Sequence, residues 1–187
     1  MKFIDNSDLA DKHAFLSPSN SSWLRYTDDK MIARYDVWQN AARGTKLHAL
    51  AKMAIDLKVK FADTPQTINM YVNDAIGFKM TTEQTLYYSV NCFGTADTIS
   101  FRRKFLRIHD LKTGHHTAKM EQLVVYTGLF CLEYRVKPKD IDIELRIYQN
   151  DDVAVYTPDD EEVELVMQRI IEFDKLLEKL KAEDFME

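Results

Sequence analysis

Residues 85–114 read TLYYSVNCFGTADTISFRRKFLRIHDLKTG, and this stretch decides the fold class. β-Branched and aromatic residues dominate it, which suits strands on a half-buried pleated surface. Arg102, Arg103 and Lys104 interrupt the run where a tight turn would join two antiparallel strands. With a side-chain period of two, FLRIHDLKTG places Leu106, Ile108, Asp110 and Lys112 on one face, with Arg107, His109 and Leu111 on the other. The first face therefore passes from apolar to charged along its length and breaks at Gly114. An isolated carboxylate and amine two residues apart are ordinarily a solvated pair, so the neighbours must decide what they mean.

Asp97 lies thirteen residues before Asp110. If the two runs pair as a hairpin, both carboxylates come to one end of the sheet, where they repel and raise one another's pKa unless a cation sits between them. A hard divalent metal resolves that conflict. Lys112 would then point at whatever the metal holds, and an ammonium beside a metal and a phosphate stabilises the negative charge that develops during hydrolysis. Turn or edge carboxylates with a salt-bridged lysine are the bland alternative.

Around this stretch the pattern is helical. SPSNSS at 17–22 offers N-cap oxygens ahead of WLRYTDDKMIARYDVWQNAA, and Gly44 and Thr45 precede KLHALAKMAIDLKVKF. There Leu47, Leu50, Ala51, Ala54 and Leu57 follow an amphipathic spacing. A further helix is expected around 67–78 and another over 118–134. IDIELRIYQN alternates as a strand, and DDVAVYTP can complete the sheet. From 159 to 183 runs a long C-terminal amphipathic helix, with Val163, Val166, Ile170, Phe173, Leu177 and Leu180 spaced by threes and fours. That stripe suits packing on the chain's own sheet or a short coiled coil. The acidic run at 159–164 matches the first turn of such a helix. This order of elements predicts an α/β domain with a mixed central sheet flanked by helices.

The chain has 187 residues, 45% of them hydrophobic, consistent with one domain and a real core. Its net charge of −5 counts against a simple polyanion-coating protein but not against an enzyme whose basic groups are local and whose acidic groups hold a metal. Cys92 and Cys131 lie far apart, without metal-binding spacing, and read as buried thiols. The opening MKFIDNSDLADKHAF has no signal-peptide core, and no run of about 18 apolar residues occurs anywhere, so a cytoplasmic protein without membrane contact is expected.

GTADTI (94–99), LRIHDLKTG (106–114), MEQLVVYTGLF (120–130) and GTKLHALA (44–51), taken in their order, resemble the RecB-type branch of the PD-(D/E)xK nuclease superfamily. LSPSNSSWLRY (16–26) is similar to the serine-rich opening of phage-encoded exonucleases of that branch, so the resemblance spans roughly residues 16–160. It implies a restriction-endonuclease-like core formed by a single nuclease domain over 1–187. It implies that Asp97 and Asp110 are acidic metal ligands, that Leu111 contributes its backbone carbonyl, that His48 completes the shell, and that Lys112 is the catalytic lysine. Gln122 and Tyr126, four apart on one helix face, match a motif that helps to position nucleic acid. Mg²⁺ or Mn²⁺ is the implied cofactor. DNA is the implied partner, with a recombinase or single-strand annealing protein beside it, in the cytoplasm of a bacterial host.

Two departures stand out. Lys52 occupies the place, four residues after His48, where similar phage proteins often carry glutamate. No cysteines match the iron–sulfur ligands of some relatives, so no cluster is expected. His109 points away from Asp110, His115 and His116 fall in a loop with phosphate contact as one reading, and Glu121 stands beside Gln122 as a surface acid. The basic turn at 102–104 reads as a solvated hairpin tip rather than a DNA contact. The leading expectation is a metal-dependent DNA exonuclease acting in phage or prophage recombination. Its competitor is an inactive nuclease-fold accessory protein that works through a recombinase or host enzyme. Homo-oligomers are compatible with either.

Overall fold

A computed structural model describes residues 14–114 and 117–184, so His115 and His116 lie outside the described residues. The chain divides into two compact units at Arg43/Gly44.

In the first unit, a 3-10 segment over Pro18–Arg25 leads to helix α1, Asp28–Asp56, which continues into the second unit. The expected serine-rich cap is therefore corrected. SPSNSS forms the 3-10 segment itself, where Trp23 Nε1 donates to the Ser17 carbonyl at 3.1 Å, and the start of α1 is marked by Thr27, whose hydroxyl accepts the Lys30 amide at 3.4 Å. Asp28 and Asp29 follow in the first turn, where the helix dipole favours negative charge. Phe15, Tyr35 and Trp38 form an aromatic cluster with ring centroids 5.2–5.7 Å apart.

Helix α1 runs through Gly44 and Thr45, so the helical stretches before and after them are one helix. This glycine is buried because the helix passes close to Thr113; a Cβ here would meet Thr113 Oγ1 at 2.6 Å. Its missing side chain serves a close approach rather than a turn.

The second unit is built on a five-stranded sheet in the order β1-β2-β3-β4-β5, with β1 Thr81–Ser89, β2 Cys92–Arg102, β3 Phe105–Leu111, β4 Asp142–Gln149 and β5 Asp152–Tyr156. Neighbours are antiparallel except β3 and β4, which run parallel and are joined through α3, Glu121–Tyr134. A parallel pair needs such a crossover, whereas a tight turn suffices for β2 and β3. That turn falls on the basic triplet as expected. Arg103 and Lys104 have φ of 52° and 64°, the left-handed pairing that fits a two-residue hairpin, and both are exposed.

Helix α2, Thr67–Gly77, and the α1 residues Ala51, Ala54 and Ile55 bury Val72, Ala75, Leu111 and Tyr148 on one side of the sheet. On the other, α3 and the C-terminal helix α4, Asp160–Asp184, enclose Leu86, Leu106, Ile108, Leu145 and Val163. The α4 stripe divides. Val163 and Ile170 pack into this core, with Val166 and Ile170 beside Gly128 of α3, while Phe173, Leu177 and Leu180 remain exposed. Asp160, Glu161 and Glu162 occupy its first turn. Cys131 is buried, which pushes its thiol up to about 11, whereas Cys92 is only half-buried. The architecture is α/β with a mixed sheet flanked by helices, consistent with the restriction-endonuclease-like core that was expected. No helix among the described residues is long and apolar enough to cross a membrane.

Candidate active site

The ladder between β2 and β3 pairs Arg102↔Phe105 through Thr98↔His109 and stops there. The next residues on the two strands are Asp97 and Asp110. On the other side of β2, the register passes from Thr82↔Thr98 directly to Gln84↔Ala96, and Glu83 takes a left-handed φ of 46° between them. The sheet is thus irregular at Asp97 on both flanks. The Asp97 carboxylate replaces a backbone acceptor, because its Oδ2 accepts the Leu111 amide at 2.9 Å.

His48 reaches the same carboxylate from α1, with Nδ1 at 3.5 Å from Asp97 Oδ2. Neither contact uses Asp97 Oδ1. Asp110 is 4% exposed. Its Oδ1 accepts from Lys112 Nζ at 3.1 Å; its Oδ2 lies 2.9 Å from the same ammonium but off the line of a hydrogen bond, and is buried with no hydrogen-bond partner among the described residues. Burial and the neighbouring Asp97 charge together push the Asp110 carboxyl up to about 6, more than Lys112 and His48 pull it down. Burial is the larger cause, and the charge of Asp97 adds to it.

Lys112 also donates to Gln122 Oε1 at 3.0 Å. Gln122 and Tyr126 face together from α3, with Gln122 Nε2 at 3.5 Å from the Tyr126 hydroxyl, which itself donates to the Thr95 carbonyl at 2.8 Å. Gly94 makes room for that ring: a Cβ there would lie 2.9 Å from Tyr126 Cε1. His48 and Asp97 thus form one pair and Asp110, Lys112, Gln122 and Tyr126 one run of contacts, and the two groups meet through the backbone, where Asp97 accepts the amide of Leu111, the residue after Asp110. Leu111 joins through its amide, while its side chain is buried in the α1/α2 core.

Other tempting residues lie elsewhere. His109 turns to the opposite side, where its ring packs against Phe78 and Tyr148. The Tyr148 hydroxyl gives its only proton to Asp74 Oδ2 at 2.6 Å, so it accepts from His109 Nδ1 at 3.2 Å. Burial first, then the charges of Arg146 and Arg107, hold His109 down to about 3, a neutral imidazole. Lys52 is paired with Asp56 at 2.7 Å and donates to Thr82 at 3.1 Å. Glu121 is exposed at the start of α3.

Two supporting residues escaped the sequence reading. Gln149 accepts the Ala118 amide at 3.1 Å and donates to the Gly114 carbonyl, gripping the chain on both sides of residues 115–116. Thr113 sets the approach of α1. Neither carries a local signal, although Gly44 was already singled out and its burial is the trace of Thr113.

Among the described residues, no three His, Cys, Asp or Glu side chains converge as a ready-made metal cage. The donor chemistry nonetheless fits a hard cation: two neighbouring carboxylates, a buried Asp110 oxygen that has the Lys112 ammonium beside it but no hydrogen bond, and an imidazole at the edge. Comparison of the chain with protein-family models, curated proteins and solved structures finds no match.

Proposed function

We propose that this protein is a metal-dependent DNA nuclease of the PD-(D/E)xK type, an exonuclease acting on phage or prophage DNA in the host cytoplasm. The observation that carries the reading is the meeting of Asp97, Asp110 and Lys112 where two antiparallel strands part, with the lysine ammonium on the buried carboxylate. A scaffold gains nothing from holding two like charges against a desolvated edge.

In this reading Asp97, Asp110 and His48 would hold Mg²⁺ or Mn²⁺. The bound ion supplies a polarised water and a Lewis acid for the phosphodiester. Asp110, whose carboxyl burial pushes up to about 6, would hold the ion in its ionised form. Lys112 exchanges its contact with Asp110 for the non-bridging phosphate oxygens and offsets the charge that grows on them. Gln122 orients the lysine, and Tyr126 fixes Gln122 against β2. With a net charge of −5, DNA binding depends on these local cations and falls steeply with salt.

The accessory-protein reading is favoured by one observation, the lack of a three-donor cage among the described residues. Cleavage decides between them. End-labelled linear DNA and closed circular DNA are incubated with Mn²⁺ or Mg²⁺, using wild type and Lys112→Ala. Loss of the linear substrate alone, abolished by the substitution, is expected. Cleavage of neither by wild type, together with no heat on calorimetric titration with Mn²⁺, would sink the nuclease and leave the accessory protein.

A further inference from the structure

Beside the lysine opens a cavity of 420 Å³ that the chemistry above does not use. Leu47, Ile68 and Leu111 supply its apolar wall. Gln66 and Asn150 bring side-chain amides to it, and both are exposed. Asn150 makes no side-chain hydrogen bond among the described residues, and Gln66 Oε1 accepts only a long one of 3.4 Å from Asn69. Lys112 and Thr113 form the side shared with the catalytic cluster.

We propose that this cavity receives a nucleobase of the strand whose phosphate Lys112 faces. The proposal rests on the nuclease reading and names the part of the substrate that the site holds beyond the reacting bond.

A phosphate is a poor occupant, for a reason visible in the capping of α2. The N-terminus of that helix borders the cavity and would ordinarily attract an anion. It already holds one. The Thr67 amide donates to Asp151 Oδ1 at 2.8 Å and the Thr67 hydroxyl donates to the same oxygen at 3.0 Å, while the Asp151 amide donates back to the Thr67 hydroxyl at 2.7 Å. These bonds, led by the backbone one, keep the Asp151 carboxyl below its usual range and therefore ionised. A second anion would meet that charge. A base brings no charge, buries its faces against the aliphatic wall, and offers donors and acceptors that match free amides. The volume falls within the range of small-ligand pockets, and sharing Lys112 places base and phosphate on neighbouring parts of one nucleotide chain.

The test begins without catalysis. Isotope-labelled full-length protein is titrated with deoxyadenosine and, separately, with inorganic phosphate, following the amide signals of Gln66, Ile68 and Asn150. Deoxyadenosine is expected to shift these signals and phosphate to leave them in place. Asn150→Gly, which keeps a residue comfortable at φ of 53°, and Gln66→Ala should each weaken the shift. A shift with phosphate but not the nucleoside, or with neither, overturns the proposal.

Cleavage then compares linear DNA with the same DNA carrying an abasic residue next to the scissile bond. Wild type should cleave the abasic substrate with kcat/KM lower by roughly tenfold, and the two variants should narrow that gap. Equal cleavage by wild type overturns the assignment of the cavity. Cleavage of neither DNA refutes the nuclease reading, while the nucleoside titration still decides whether the cavity takes a base.

Discussion

The Asp97 carboxylate accepts the Leu111 amide at 2.9 Å, immediately beyond the last backbone pair of β2 and β3. One side chain thus ends a strand ladder and contributes to the candidate metal site. The two roles separate by substitution. Asp97→Asn keeps a carbonyl oxygen for the Leu111 amide and should leave the unfolding midpoint nearly unchanged while abolishing cleavage. Asp97→Ala leaves a buried amide unpaired and should also cost about 1–3 kcal/mol, read by urea denaturation.

Asp110 carries a folded-state pKa of about 6 against 3.8 for the free side chain. A raised pKa in an acid means that its ionised form opposes folding. The penalty is absent below about pH 4, grows as pH rises, and is complete above about pH 6. Without metal, Asp110→Asn is therefore expected to be more stable than wild type by about 1–3 kcal/mol at pH 7.5, with the difference fading toward pH 4. Denaturation in a chelator across that range reads it directly; a variant less stable than wild type at pH 7.5 would contradict the burial argument. Added Mn²⁺ should stabilise wild type and not the variant.

Lys112→Ala should fold normally, because the side chain is partly exposed and, among the described residues, bonds to Asp110 and Gln122 alone. The expected loss is about 10²–10³ in kcat, typical of removing one group that stabilises transition-state charge. Manganese binding, measured by calorimetry, should persist in this variant and fail in Asp110→Asn.

Gly44→Ala tests the approach of α1 to the loop after β3. A Cβ placed 2.6 Å from Thr113 Oγ1 forces one of them to move. Overpacking costs about 1–3 kcal/mol, partly offset by alanine's better helix propensity of about 1 kcal/mol. Stability should fall modestly, and cleavage more than stability, since the loop adjoins Lys112. Adding Thr113→Ala removes the collision and should restore both, as a double-mutant cycle would reveal.

Tyr126→Phe removes the bond to the Thr95 carbonyl and frees Gln122 from its neighbour. We expect about 1 kcal/mol of lost stability and a several-fold higher KM for linear DNA. Gly94→Ala should reproduce the KM effect by displacing the ring that lies 2.9 Å from the new Cβ.

Local sequence determined much of this molecule. Alternation and residue type marked the β2–β3 hairpin and its turn at Arg103 and Lys104. Helical spacing marked α2, α3 and α4, and the thirteen-residue interval between Asp97 and Asp110 followed from pairing those strands. Such features depend on a few successive residues, so they are written locally. Only the tertiary structure decided the rest. The need for glycine at 44 was not legible, because its partner, Thr113, lies far away in sequence. SPSNSS read as a cap for a helix that Thr27 begins. The C-terminal stripe looked uniform, yet α3 covers only its first half. The pairing of Asp97 with the Leu111 amide, the desolvation of Asp110 and the cavity between α1, α2 and the β4–β5 turn arise where distant segments meet. Burial and charge proximity belong to three-dimensional distances, and no periodicity along the chain encodes them.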